Sequence, residues 1–145
     1  MKKFTLYLPV VVAVSMGFIY YGKHKTADSP TKQALLAHTW QMETVAQHKS
    51  LNTQIIYRRG ASANDEDLSS VRLACKTNGT IQYVDEYGLK GNNATYQLSD
   101  NDKKIRISYG GLSITGENVV VNGKQFAYTV KYNKTDSSRF VYSPI

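Results

Sequence analysis

The chain has 145 residues, a length that suits one domain, and its formal net charge of +7 is unevenly spread. Lys2, Lys3, Lys23 and Lys25 lie in the first 26 residues, which contain no acid; the remaining 14 Lys and Arg face 11 Asp and Glu, leaving the body at +3. That near-balance, with Arg58-Arg59 and Lys103-Lys104 as isolated basic pairs, excludes the gathered basic face a nucleic-acid binder needs, and the lone Cys75 excludes an internal disulfide.

The N-terminal stretch MKKFTLYLPVVVAVSMGFIYYGKHK holds an uncharged 18-residue run, Phe4 to Tyr21, between lysines. A membrane-spanning helix needs about 20 mainly apolar residues, with a lower limit near 17. Residues 1–25 therefore read as a hydrophobic helix acting as a signal-anchor. The competing reading is a cleaved signal peptide with Ala13 and Ser15 near its cleavage site. Tyr20 and Tyr21 suit a membrane interface, and Pro9 is tolerated within a membrane helix. Both readings export the body to the cell envelope, either membrane-anchored or periplasmic or extracellular. Residues 26–33, TADSPTKQ, read as a polar linker, and residues 34–145 as the folded domain.

PTKQALLAH is the one helical candidate in the body, a turn or two ahead of the first strand. From Thr39 the apolar period is two, which is the period of strands. TWQMETVAQ sets Trp40 and Met42 on one face and Gln41 and Glu43 on the other. TQIIYRR follows, then the polar GASANDEDLSS, read as a mobile loop, then VRLACK with Val71, Leu73 and Cys75 in phase. That phase makes Cys75 a small core residue rather than a nucleophile, which would need a base and an orienting group.

Asn78-Gly79 joins VRLACK to TIQYV; Asn-Gly between alternating runs predicts a two-residue turn with positive φ at both positions. DEYGLKGNN reads as a longer connection. In ATYQLSDNDKKIRIS, Ala94, Tyr96 and Leu98 face the same way as Ile105, Ile107 and Tyr109, while Lys104, Arg106 and Ser108 point to water. Gly110-Gly111 breaks the run. LSIT and ENVVV come next, then a second Asn-Gly at Asn122-Gly123, then KQFAYTVKY with Phe126, Tyr128, Val130 and Tyr132 on one face. RFVYS closes the chain after the turn NKTDSS.

One dry and one wet face on each strand is the pattern of an antiparallel sheet around an interior. Eight or nine short strands in about 110 residues can close and so remove exposed edges. The fold expected is all-β: a small antiparallel up-and-down β-barrel of about eight strands, preceded by the N-terminal hydrophobic helix.

LLAHTWQMETV, LACKTNGTIQYV, NATYQLSDNDKKIRIS and FAYTVKYNKTDSSRFVY, in that order, resemble the bacterial lipocalin-like domain family. Leu36, Trp40, Asn78, Gly79, Thr80, Tyr96, Leu98, Ser99 and Asp102 match its pattern, and the match covers about 110 of the 145 residues. The chain departs from the pattern at Ala37-His38-Thr39 and in lacking the lipoprotein cysteine. The resemblance implies a calycin-like barrel in the cell envelope and transfers no catalytic residue.

Catalytic and metal-binding constellations are absent from the sequence. His24, His38 and His48 have no close His or Cys partner, so no metal site is expected. Asn64, Asp65, Glu66 and Asp67 lack the glycine and glutamate spacing of an EF-hand. Asp85 and Glu86 are adjacent and so point apart, which does not suit a paired-carboxylate hydrolase. Asp100 and Asp102 are turn residues, and Asn78, Asn93 and Asn133 begin Asn-x-Ser/Thr triplets that matter only in a glycosylating host. The expectation is a protein that is not an enzyme and holds no cofactor.

The aromatic set carries the functional expectation. Trp40, Tyr57, Tyr83, Tyr96, Tyr109, Phe126, Tyr128 and Tyr132 fall on inward phases. Inward tyrosines give an apolar wall with polar tips. These eight are the expected ligand-binding residues for a small hydrophobic or amphipathic molecule held in the barrel. The alternative is a filled barrel acting as a non-enzymatic interaction module against an envelope protein partner, with the N-terminal helix giving membrane contact in either case.

Overall fold

A computed structural model describes residues 27–145; the signal-anchor or signal-peptide segment lies outside the described residues. A short helix, α1 (Pro30–Leu36), precedes nine strands: β1 (Trp40–Lys49), β2 (Asn52–Arg58), β3 (Arg72–Cys75), β4 (Thr80–Val84), β5 (Lys90–Ser99), β6 (Lys104–Tyr109), β7 (Leu112–Val121), β8 (Phe126–Lys131) and β9 (Asp136–Pro144). All neighbours pair antiparallel, and β1 pairs with β9, so β1 and β3–β9 close an eight-stranded barrel, as expected. β1 divides its other edge. Trp40 and Gln41 pair with β3, and Thr44–Lys49 pair with β2, which lies above the top of β3.

Helix α1 begins inside the stretch expected to be a linker. Ser29 caps it by accepting from the Lys32 amide at 3.1 Å, and Pro30 supplies the fixed φ that suits a first helical turn. Its Leu35 is fully buried, and the Leu35 carbonyl accepts from Trp40 Nε1 at 2.9 Å. The helix thus packs on β3 and β7 and stops one end of the barrel.

The inward phases expected for β1, β3, β5, β6 and β8 are largely those observed: Trp40, Met42, Leu73, Cys75, Ala94, Tyr96, Ile105, Phe126, Tyr128 and Val130 are all buried. Bulges reset the phase elsewhere. Opposite β9 the extra residue is Glu43, so Val45, not Thr44, follows Met42 into the core. In β7, Asn118 at φ 52° is the extra residue, which lets LSIT and ENVVV run as one strand.

Several connections differ from expectation. At Asn78-Gly79 only Gly79 has positive φ (85°); the Lys76 carbonyl accepts from Gly79 N, and Asn78 Oδ1 accepts from Thr80 N. The turn is therefore a longer loop ending in a left-handed glycine, whose cross-strand twist the Asn carboxamide supports. The Asn122 side chain likewise accepts from Lys124 N and Gln125 N, with no positive φ at Gly123. The two-residue turn with both φ positive is instead Gly110-Gly111 (55° and 83°), which joins β6 to β7. Lys90–Asn93 are strand rather than connection, because Asp85 accepts from the amides of Tyr87 and Leu89 and closes the loop early. Strand β9 starts at Asp136, before the expected RFVYS, since Asn133 Oδ1 already satisfies the Thr135 and Asp136 amides.

The segment read as a mobile loop folds back along β2: Asn64 Oδ1 accepts from Arg58 N, and the Asp65 amide donates to the Ile56 carbonyl. Asp100, Asn101 and Asp102, all left-handed (φ 51–63°), turn β5 into β6. Asn and Asp are the side chains that tolerate that region best.

Candidate functional site

The barrel is solid at the helix end and hollow at the other. Near α1 the interior is filled by Leu35, Trp40, Ile105 and Phe126, all fully buried. Trp40 meets Phe126 edge-on at 5.9 Å, and Phe126 stacks on Tyr142 at 5.4 Å. Above this floor a cavity of about 420 Å³ opens between the upper ends of β3–β4 and β6–β7.

Strand register explains the cavity lining. Ile81 pairs with Ala94, Leu73 pairs with Tyr83 one inward step nearer the mouth, and Tyr128 and Tyr142 form the floor. Ile107 pairs with Ile114 across the Gly110-Gly111 hairpin, and both face the space. Tyr83 lies across its register partner Gly91, where any Cβ would run into the ring. Its hydroxyl donates to Asn93 Oδ1 at 2.7 Å, and its ring meets that of Tyr109 edge-on at 5.5 Å. Arg72, Asp85 and Glu86 stand at the mouth.

The eight expected ligand-binding residues divide accordingly. Tyr83, Tyr109 and Tyr128 line the cavity. Trp40 and Phe126 belong to the packed floor, not to the open space. Tyr96 is buried with its hydroxyl donating to the Lys76 carbonyl at 2.9 Å, near the opposite end. Tyr57 is buried on β2 with no hydrogen-bond partner for its hydroxyl among the described residues. Tyr132 is 60% exposed and does not face inward, because β8 ends at Lys131 and the residue belongs to the following turn. Tyr109 is half exposed at the rim, where the hairpin carries it past the neighbouring wall. Tyr142, Ile107 and Ile114 complete the site. Tyr142 shares its phase with Phe140 two residues earlier, and the Gly-Gly turn implies the pairing of Ile107 with Ile114.

The cavity interior carries no ionised side chain at neutral pH. Burial pushes Tyr128 up to about 12 and Tyr142 well above its ordinary value; their hydroxyls lie 3.4 Å apart. The adjoining Tyr109 phenol, and then burial, hold Tyr83 up at about 12. Below the floor, burial raises Cys75 to about 12, so the thiol keeps its proton and is a poor nucleophile. Among the described residues no group of three or more His, Cys, Asp or Glu could hold a metal ion.

This geometry selects by shape and by hydrogen bonding. Aliphatic walls favour an apolar body, phenolic hydroxyls can meet one or two acceptors, and Arg72 and Glu86 can meet a polar end that stays wet. A second groove of about 500 Å³ lies beside the cavity on β3–β5, between Gln82, Lys90 and Asn92, and shares Arg72, Leu73, Tyr83 and Val84 with it. The closed antiparallel barrel is consistent with a calycin-like fold. No protein-family model, no curated protein and no solved structure matches the chain.

Proposed function

We propose that this protein is a lipocalin-like binding module that takes a small hydrophobic or amphipathic molecule into the upper half of its barrel, exported and held at a membrane by its N-terminal helix. The observation that carries the binding reading is the 420 Å³ cavity, which lies within the size range of small-molecule sites and is lined by inward-facing aliphatics and phenols. It favours this reading over a solid barrel working through its surface alone. The apolar run of residues 4–21 supports the export and anchoring. The chemistry assigned to the module is binding rather than turnover.

The test is a titration with N-phenyl-1-naphthylamine, an uncharged aromatic probe that brightens out of water. Saturable binding at one site is expected, and Ala94→Phe, which places a ring in the cavity, should abolish it while leaving the barrel folded by circular dichroism. No saturable binding, or binding indifferent to Ala94→Phe in a folded variant, would reject the cavity as the site.

A further inference from the structure

The up-and-down order sends alternate connections to opposite ends of the barrel. The β1–β2, β4–β5, β6–β7 and β8–β9 connections come to the cavity end; β3–β4, β5–β6 and β7–β8 come to the helix end. Every connection at the cavity end carries a large apolar or tyrosine side chain: Leu51; Tyr87 and Leu89; Tyr109 and Leu112; Tyr132, all between 51% and 100% exposed. The helix end has Lys76–Gly79, Asp100–Lys103 and Asn122–Gln125, with no large apolar side chain among them. Turn chemistry does not require this sorting, since the polar tips complete their hairpins equally well. Leucines at 100%, 75% and 65% exposure on hairpin tips gain nothing from the fold itself.

We propose that this ring of hairpin tips is a docking surface for a lipid bilayer. The apolar side chains stand on four separate fingers around an opening, not on one continuous face. A fluid lipid surface can close around separate fingers, whereas a folded partner needs a continuous patch with a packed centre. Charge at this end points the same way. The Asp85 carboxylate is turned onto the amides of Tyr87 and Leu89, and Asp136 accepts from Ser50 N and Asn133 Nδ2. Exposed Lys49, Lys90 and Lys134 flank the four tips, where Glu86 is the exposed acid; the exposed Asp65, Glu66 and Asp67 lie off the ring, on the segment that folds back along β2. Lysine stems lie along apolar surface while their ammonium groups reach lipid phosphates, and tyrosines settle at the interface. The docking does not depend on the cavity holding a ligand. If it does hold one, an apolar molecule would pass between bilayer and cavity without crossing water.

A tryptophan placed on the rim reads the contact locally, whatever residues 1–25 do. The full chain carrying Leu112→Trp, or Lys124→Trp at the helix end, is mixed with vesicles of phosphatidylcholine and a minority of phosphatidylglycerol, with and without brominated acyl chains. Native Trp40, fully buried, is the common background. For Leu112→Trp the added emission should shift to the blue and be largely lost to brominated lipid, and adding Leu51→Ser and Leu89→Ser should restore much of it. Lys124→Trp should show neither effect. A Leu112→Trp signal that stays water-like, quenching equal at both positions, or quenching unmoved by the two serines would overturn the proposal. So would a dimer in lipid-free solution that Leu112→Ser dissolves, which would assign the rim to a second copy of the chain.

Discussion

Gly91, second in β5, and Gly116, in the middle of β7, both lie in strands, where glycine has no propensity to recommend it. Each is placed under a tyrosine ring, but the rings differ in freedom. A Cβ at Gly116 would stand 2.6 Å from Tyr128 Cδ2 and 3.0 Å from Tyr128 Cβ and Ile105 Cγ2. Tyr128 and Ile105 are buried and cannot retreat, so Gly116→Ala should cost about 1–3 kcal/mol of folding stability by urea titration, the range for overpacked cores. At Gly91 the obstacle is the far end of Tyr83, whose ring reaches the cavity mouth and can swing outward. Gly91→Ala should therefore cost little stability and instead weaken probe binding by displacing the Tyr83 ring from the wall. The reverse ranking of the two variants would mean that the rings are not held as described.

At the scale of elements, α1 is a seven-residue helix, too short to be stable alone. Its stability comes from Leu35, fully buried against the aromatic floor, and from the bond between the Leu35 carbonyl and Trp40 Nε1. Leu35→Ala should cost about 2–5 kcal/mol, as buried leucine truncations do. The emission of Trp40, the single tryptophan, should move to the red as the helix loosens. Unchanged stability and emission would show that the barrel end is closed without the helix. The strands themselves were legible wherever local pairing obeyed period two without interruption: Trp40 and Met42, Leu73 and Cys75, Ala94 and Tyr96, Phe126 and Tyr128. The phase of Val45 was not, because the bulge at Glu43 is set by how β1 must serve β9 on one side and both β2 and β3 on the other. Nor was the division of the aromatics into floor and cavity. Period two tells which way Trp40 and Tyr83 point, but depth along the barrel depends on the stagger between strands and on α1 occupying one end.

Taken as a whole molecule, the barrel encloses several acids that it keeps in the protonated form. Burial raises Tyr96 and Tyr128 from 10.0 to about 12, raises Tyr142 well above 10.0, and raises Cys75 from 9.0 to about 12. For an acid whose native pKa is raised, the folded state holds the proton more tightly than the unfolded chain does. Each such group leaves stability untouched below its unfolded pKa and withdraws it as pH climbs towards the folded value. The slope is about 1.4 kcal/mol per pH unit for each fully titrating group. The urea midpoint should accordingly stay level up to about pH 9, then fall, first as Cys75 and then as the phenols ionise in the unfolded chain. Phenolate absorbance should show a late fraction that appears together with unfolding, and Tyr142→Phe should flatten the decline above about pH 10 by one group's share. A midpoint that holds level to about pH 12 would mean that these phenols reach water in the folded state. The floor beneath the cavity would then be open to solvent, and the packed and hollow halves of the barrel would not be separate compartments.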